Sequence, residues 1–242
     1  MADLITQIQF QKFVNQYDNL MNSKGSNSWI HSYVNLCNHP DFLLDAEFKD
    51  VFLSPLLVIT IAYMVGGPIR IVDARAKNAE PISVLAQDNM LHIDNTPFND
   101  EYKVIVTWEK GKVSGPKGQN FAFIPGTNKG VRNCLTNADG TIWSSENASI
   151  FITEASIDNI FEFQQRNTSL RAPTVVEASH ETKPLTIAFA AGSLVHHRYR
   201  TSEKQFSRSC IIVAFQRISD NPGAFLDDKF LPEIAQNNDM YS

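Results

Sequence analysis

Residues 185–216, LTIAFAAGSLVHHRYRTSEKQFSRSCIIVAFQ, decide the fold of this chain. Two runs rich in β-branched and aromatic residues, Leu185–Ala190 and Ser209–Gln216, flank a shorter run at Leu194–His197. Small and charged residues separate the runs, and this pattern predicts short strands joined by turns. The same stretch contains two adjacent histidines, so it bears on function as well as on fold.

Further strands are predicted on the N-terminal side of this stretch, beginning after Gly66-Gly67. Together with the first three they make nine short strands with Gly, Pro, Asn and Asp between them. Such a series predicts a mainly β fold of the sandwich or barrel type. The six additional strands are Ile69–Asp73, Ile82–Leu85, Met90–Asp94, Lys103–Trp108, Asn120–Ile124 and Ser149–Thr153.

Helices are predicted on either side of the first strands. Apolar residues at helical spacing indicate an amphipathic helix over 5–21 and a helical region over 41–65 that breaks near Pro55. A short helix over 156–166 interrupts the β pattern.

We expect a single domain, because 242 residues fit one large β unit. It consists of N-terminal helices over 1–66, a β core over 67–217 with an insertion at about 154–184, and a C-terminal tail over 218–242.

Composition and charge exclude several classes of protein. The chain is 43% hydrophobic, which excludes a disordered protein, and its net charge of −5 disfavours nucleic-acid binding. The longest apolar run, Leu56–Val65, is too short to span a bilayer, and the first residues lack the pattern of a signal peptide. The three cysteines, at 37, 134 and 210, form no CxxC motif. We therefore expect a cytoplasmic protein with a small-molecule partner and no membrane partner; the oligomeric state is not readable.

A candidate metal site begins at His92-Ile93-Asp94. Residues two apart in a strand point to the same face, so the imidazole and the carboxylate converge. Successive residues of a strand point to opposite faces, so one of His196 and His197 must point towards the face that His92 uses. Strand alternation does not choose between them. Two histidines and one carboxylate are the facial triad that holds non-haem Fe(II). For each part alone, an ordinary core or surface position is the competing interpretation.

Arg208 opens the strong strand Ser209–Gln216. A guanidinium at a strand start suits a carboxylate in two-point contact, and a dicarboxylate co-substrate supplies such a partner. A surface salt bridge is the alternative interpretation of Arg208 alone.

Taken in order, these segments resemble the phytanoyl-CoA dioxygenase-like family of Fe(II)/2-oxoglutarate oxygenases. The parts are His92-Ile93-Asp94, the Gly-rich stretch from Gly118 to Pro125-Gly126-Thr127-Asn128, then His197, then Arg208. The resemblance covers about residues 67–217 and departs at Asn128, where the family often has His. It implies a double-stranded β-helix (a jelly-roll or cupin-like barrel) with flanking helices.

The resemblance also implies roles for individual residues. His92, Asp94 and His197 would bind iron, with His196 as the alternative to His197, and Arg208 would bind 2-oxoglutarate. His197 is preferred because its eleven-residue step to Arg208 resembles the family pattern. The substrate pocket would draw on Trp108, Arg132, the N-terminal helices and the insertion.

The resemblance implies an enzyme that uses Fe(II), 2-oxoglutarate and O2 to oxidise, most simply to hydroxylate, a small organic substrate. An amino acid, a secondary metabolite and a lipid-like acid are all open as substrates. Asp94 argues against halogenation, since related halogenases replace this carboxylate. The alternative is a cupin-like metal- or ligand-binding protein without redox activity. A hydrolase finds no support, because the sequence has no GxSxG or HExxH motif.

Overall fold

Two antiparallel β-sheets form the centre of the structure, and helices cover their outer faces. The computed structural model of the chain describes residues 7–28, 31–79, 90–94, 101–116, 118, 120–129, 149–152, 154–180, 182–198 and 207–218.

Four helices precede the main β region and one lies within it. Prolines at their first turns begin α2 and α4, and Gly66, at φ 78°, ends α4 in the left-handed conformation that glycine adopts readily. The predicted helices are confirmed, although the region 41–65 is divided into three. The helices are α1 Gln7–Lys24, α2 Pro40–Leu44, α3 Ala46–Phe52, α4 Pro55–Val65 and α5 Glu154–Asn167.

Eleven strands lie within the described residues. Sheet A has the order β1-β2-β3-β11-β5-β9, and sheet B has the order β7-β4-β10-β6-β8. The strands are β1 Ser26–Ser28, β2 His31–Asn35, β3 Ile69–Ala79, β4 His92–Asp94, β5 Tyr102–Glu109, β6 Phe121–Phe123, β7 Ser149–Phe151, β8 Val176–Ala178, β9 Leu185–Ala190, β10 His196–Arg198 and β11 Arg208–Arg217.

Eight of the nine predicted strands are present, with shifted ends, and the ninth, Ile82–Leu85, lies outside the described residues. The prediction missed β1, β2 and β8. Strand β8 pairs with β6, so residues 176–178 belong to sheet B although they fall within the predicted insertion.

Each sheet buries one face against helices. Phe13 and Tyr17 of α1 pack with Trp108 of β5 in the core outside sheet A. Ile93 and Ile160 belong to a smaller core between sheet B and α5. The remaining faces of the two sheets meet each other, and this interior is the space available for a site.

Side chains from both sheets fill this interior. Ile105, Phe189 and Cys210 of sheet A pack with Phe121 of sheet B. From β3 to β6 and again from β8 to β11, successive strands alternate between the sheets. The fold is therefore a mainly β, double-stranded β-helix with flanking helices, which confirms the fold that the family resemblance implies.

Within the described part of the chain no single helix is long and apolar enough to span a membrane, whereas α3 and α4, bent by 47°, reach that length and apolarity only as a pair.

Candidate metal centre

Strands β4 and β10 are neighbours in sheet B, and their register pairs His92 with His196. The two imidazole rings lie 4.4 Å apart between centroids. Asp94 is two residues after His92 and shares its face. The ligand atoms of His92, Asp94 and His196 all lie within 4.8 Å of one another. The pairing of two short strands thus assembles a group that could hold a metal ion.

Backbone carbonyls orient both histidines. Nδ1 of His92 lies 2.8 Å from the carbonyl oxygen of Met90, and Nδ1 of His196 lies 2.8 Å from that of Leu194. A carbonyl only accepts, so each Nδ1 carries the proton and donates it. With Nδ1 bonded to a carbonyl, Nε2 is the atom that each ring can offer to a metal. Histidines that bind metals commonly donate their other ring N–H to a carbonyl in this way.

His196 is held in an aromatic setting. Its ring stacks on Phe121 at 5.1 Å and meets Phe189 edge-on at 4.8 Å. Burial lowers the pKa of His196 to about 4, and the neighbouring His92 adds to this effect. The imidazole is therefore neutral at pH 7, which is the form that binds metals.

Asp94 is held by a cation from the opposite sheet. The Lys103 ammonium of β5 lies 3.0 Å from Oδ2 of Asp94 and 3.7 Å from Oε1 of Glu101. Burial alone would raise the pKa of Asp94, but Lys103 and the two imidazoles lower it to about 2. The carboxylate is therefore ionised at pH 7. Its Oδ2 is 3.9 Å from Nε2 of His196.

The donor set suits iron. Two imidazoles and one carboxylate are the nitrogen and oxygen ligands of the facial triad that binds non-haem Fe(II). Donors at about 2.1 Å from one ion are about 3 Å apart, so small side-chain rotations would close the group around it.

The structure brings His196 into this group and not His197, the residue preferred from the sequence. His197 pairs with Ala122 and, as the next residue in the strand, points to the opposite face of sheet B. That face packs towards α5 through Val195 and Ile124. The spacing to Arg208 suggested His197. Of the two residues, however, only His196 lies on the face of β10 that is turned towards sheet A.

Arg208 begins β11 and shares the interior face of sheet A with Cys210. The register pairs Arg208 with Glu109, whereas Lys103 pairs with Ala214, six residues further along β11. Arg208 and the His–Asp group therefore lie towards different ends of the interior. A ligand that contacts both must be elongated.

Trp108 does not line a pocket with this group, which corrects the expectation from the sequence. It is fully buried on the outer face of β5 and packs edge-on against Phe10, Phe13 and Tyr17. Strand alternation places it on the face opposite Lys103. Arg132, the other predicted pocket residue, lies outside the described residues.

Lys103 is a further residue of the site that was not predicted from the sequence. A signal for it was present, since the run Val104–Trp108 is continuously apolar except for Thr107 and thus buried on both faces. A lysine at the start of such a strand needs a buried carboxylate as its partner.

No protein-family model and no curated protein match the sequence. Solved structures do match. The carbocyclase SnoK from nogalamycin biosynthesis, described as non-haem and α-ketoglutarate dependent, has a TM-score of 0.58 at 13% identity over 88% of this chain and 76% of its own. The epimerase SnoN, solved with Fe3+, α-ketoglutarate and nogalamycin RO, has a TM-score of 0.53 at 15% identity over 93% of this chain and 85% of its own.

A third similar structure is HygX from Streptomyces hygroscopicus, with nickel and 2-oxoglutarate bound. It has a TM-score of 0.54 at 12% identity over 94% of this chain and 90% of its own. At such identities the likeness establishes the fold. The chain therefore has the fold of iron- and 2-oxoglutarate-dependent enzymes, and a His–Asp–His group lies within it.

Proposed function

We propose that the chain is a non-haem Fe(II)- and 2-oxoglutarate-dependent oxygenase that hydroxylates a small organic substrate. The observation that carries the proposal is the convergence of His92, Asp94 and His196, with both histidines orienting Nε2 towards the group. The likeness of the fold to enzymes of this kind supports it.

Each residue has a defined task in this proposal. His92 and His196 present their Nε2 atoms to the ion, and Asp94 presents an ionised oxygen. Phe121 and Phe189 keep water from His196. When bound, iron and 2-oxoglutarate supply the oxidising chemistry, which consumes O2 and releases succinate and CO2.

Arg208 is the proposed partner of the far carboxylate of 2-oxoglutarate. It lies on the interior face, and its guanidinium offers the paired N–H donors that a carboxylate accepts. Because Arg208 begins β11 six residues from the partner of Lys103, its long side chain would extend along the interior towards the His–Asp group to make this contact.

The substrate we propose is a small molecule of the secondary-metabolite type. This rests on the likeness to SnoN and HygX, whose structures contain nogalamycin RO and, at a TM-score of 0.50 and 11% identity, hygromycin B.

The test is anaerobic reconstitution with Fe(II) and 2-oxoglutarate. We expect the weak visible absorption band of an iron–2-oxoacid chelate and, after O2 is admitted, release of succinate. Both should be lost in His92→Ala. A wild-type chain that binds iron without the band or succinate release is a binding protein, and unchanged succinate release in His92→Ala contradicts the ligand assignment.

Product mass then identifies the reaction. Succinate release is screened against a panel of secondary metabolites, and the stimulating compound is analysed by mass spectrometry. Hydroxylation adds one oxygen atom. Ring closure or desaturation removes two hydrogen atoms, and epimerisation leaves the mass unchanged, so either result would contradict the proposed hydroxylation.

A further inference from the structure

Helix α4 carries a stripe of exposed apolar side chains. Leu56, Ile59, Tyr63 and Met64 are 51%, 66%, 86% and 39% exposed. Their spacing of three, seven and eight residues from Leu56 places them on one face of the helix. The opposite face is buried in the main core. The side chains of this stripe are therefore not part of the buried core.

The stripe calls for an apolar partner. The whole of α4, PLLVITIAYMV, contains no charged residue, so ion pairing cannot hold a partner along it. Contiguous exposed apolar surface is uncommon on monomeric proteins and marks interaction sites.

The described chain ends beside this helix. The backbone N–H of Ile218 donates to the carbonyl oxygen of Pro68 at 2.7 Å, and Pro68 is three residues beyond Val65, the last residue of α4. Residues 219–242 therefore start next to the C-terminal end of the stripe. That segment contains the large apolar residues Phe225, Leu226, Phe230, Leu231 and Ile234.

The segment can reach the whole stripe. An extended chain advances about 3.3 Å per residue, so Phe225 can lie up to about 23 Å from Ile218. The 11 residues of α4 span about 16 Å. A segment tethered this closely has a local concentration near the millimolar range, which favours it over a second copy of the chain at ordinary protein concentrations.

We propose that the C-terminal segment 219–242 docks its apolar side chains on the exposed stripe of α4. The docking site is separate from the His–Asp group, and the proposal does not depend on the chemistry that the chain performs.

The experiment measures the reactivity of a thiol in the stripe. Thr60→Cys places a thiol among the four apolar side chains without removing any of them, and Gln165→Cys on α5 gives a reference exposed thiol. Both are made in the full chain with Cys134→Ser. Labelling by a bulky maleimide is followed by mass spectrometry, which also separates the native thiols.

Two altered segments are compared in each background. One carries Phe225→Asp, Leu226→Asp and Phe230→Asp. The matched control adds the same three negative charges at polar positions, as Gln236→Asp, Asn237→Asp and Asn238→Asp. We expect the thiol at position 60 to label about tenfold more slowly than that at position 165. The first set of changes should remove the difference, and the control set should leave it.

Three results would overturn the proposal. Equal labelling at positions 60 and 165 in the unaltered segment means that the stripe is free. If the thiol at position 60 labels slowly in both altered segments, but its labelling rate rises when the protein is diluted, a second copy of the chain covers the stripe. Fast labelling that slows only with phosphatidylcholine vesicles means that α4 contacts lipid.

Discussion

Lys103 and Asp94 join the two sheets at the candidate metal centre. The lysine lies on β5 of sheet A and the aspartate on β4 of sheet B, and their ammonium and carboxylate are 3.0 Å apart. Oε1 of Glu101 lies 3.7 Å from the same ammonium. A ligand carboxylate is thus fixed from the opposite sheet, so the geometry of the centre depends on how the sheets pack.

We expect Lys103→Met to weaken metal binding about 10- to 100-fold, the usual effect of removing a contact that orients a metal ligand. Binding of Co(II), followed by titration calorimetry, measures it. Lys103→Arg, which keeps the charge, should recover part of the affinity. The control is Arg166→Met, which removes an exposed pair with Glu162 on α5 and should leave the affinity unchanged. Unaltered affinity in Lys103→Met would refute the role.

The two adjacent histidines should differ sharply. His196→Ala removes a member of the His–Asp group and should raise the Kd for Co(II) at least about tenfold. His197→Ala removes a side chain on the other face of sheet B and should leave that Kd within about twofold. Each variant is the control for the other. The reverse result would restore His197 as the ligand.

Arg208→Lys tests the proposed co-substrate contact. Loss of the paired guanidinium donors should raise the KM for 2-oxoglutarate about 10- to 100-fold, because hydrogen bonds to charged groups contribute about 1.5–3 kcal/mol each. The Kd for Co(II) should not change, which separates this effect from damage to the metal centre. An unchanged KM would remove Arg208 from the binding site.

Trp108→Phe distinguishes a core residue from a pocket residue. The smaller ring leaves a void among Phe10, Phe13 and Tyr17 and should lower the free energy of unfolding by about 1–2 kcal/mol. Affinity for Co(II) and the KM for 2-oxoglutarate should stay unchanged. Urea unfolding measures the first quantity. A stable variant with altered KM would return Trp108 to the substrate site.

The Cys37 thiol should react slowly below pH 10. Burial raises its pKa to about 11, and the charge of Asp73 adds to the effect. Since only the thiolate is alkylated, the rate should rise about tenfold per pH unit and level off near pH 11. Peptide mapping after iodoacetamide treatment measures this, with Gln165→Cys on α5 as an internal exposed reference. Asp73→Asn should move the plateau to lower pH. A plateau at pH 8–9 would contradict the raised pKa.

Strand prediction succeeded where side chains alternate or form long apolar runs, as in β5 and β11. It failed for β2, HSYVN, which lies next to the edge strand of sheet A, and for β8, VEA, at the edge of sheet B. These short segments owe their conformation to pairing with β3 and β6. Propensity contains no information about such partners.

The candidate site was likewise predictable only in part. His92 and Asp94 follow from two-residue alternation within one strand. The choice of His196 over His197 depends on which face of β10 lies inward, and that is set by the packing of Val195 and Ile124 against α5. Lys103 joins Asp94 across two sheets, a contact that local spacing cannot reveal.

Both histidines hold their protons on a carbonyl two residues earlier in the chain, at Met90 and at Leu194. Each donor direction is thus set within a three-residue fragment, and only the registry of β4 against β10 must be correct for the fragments to face each other. The centre is modular in this sense. If these two tripeptides are grafted onto another pair of antiparallel strands in the same registry, both imidazole rings should keep their orientation. The Asp94 carboxylate would still need a cation from a facing sheet, as Lys103 provides here.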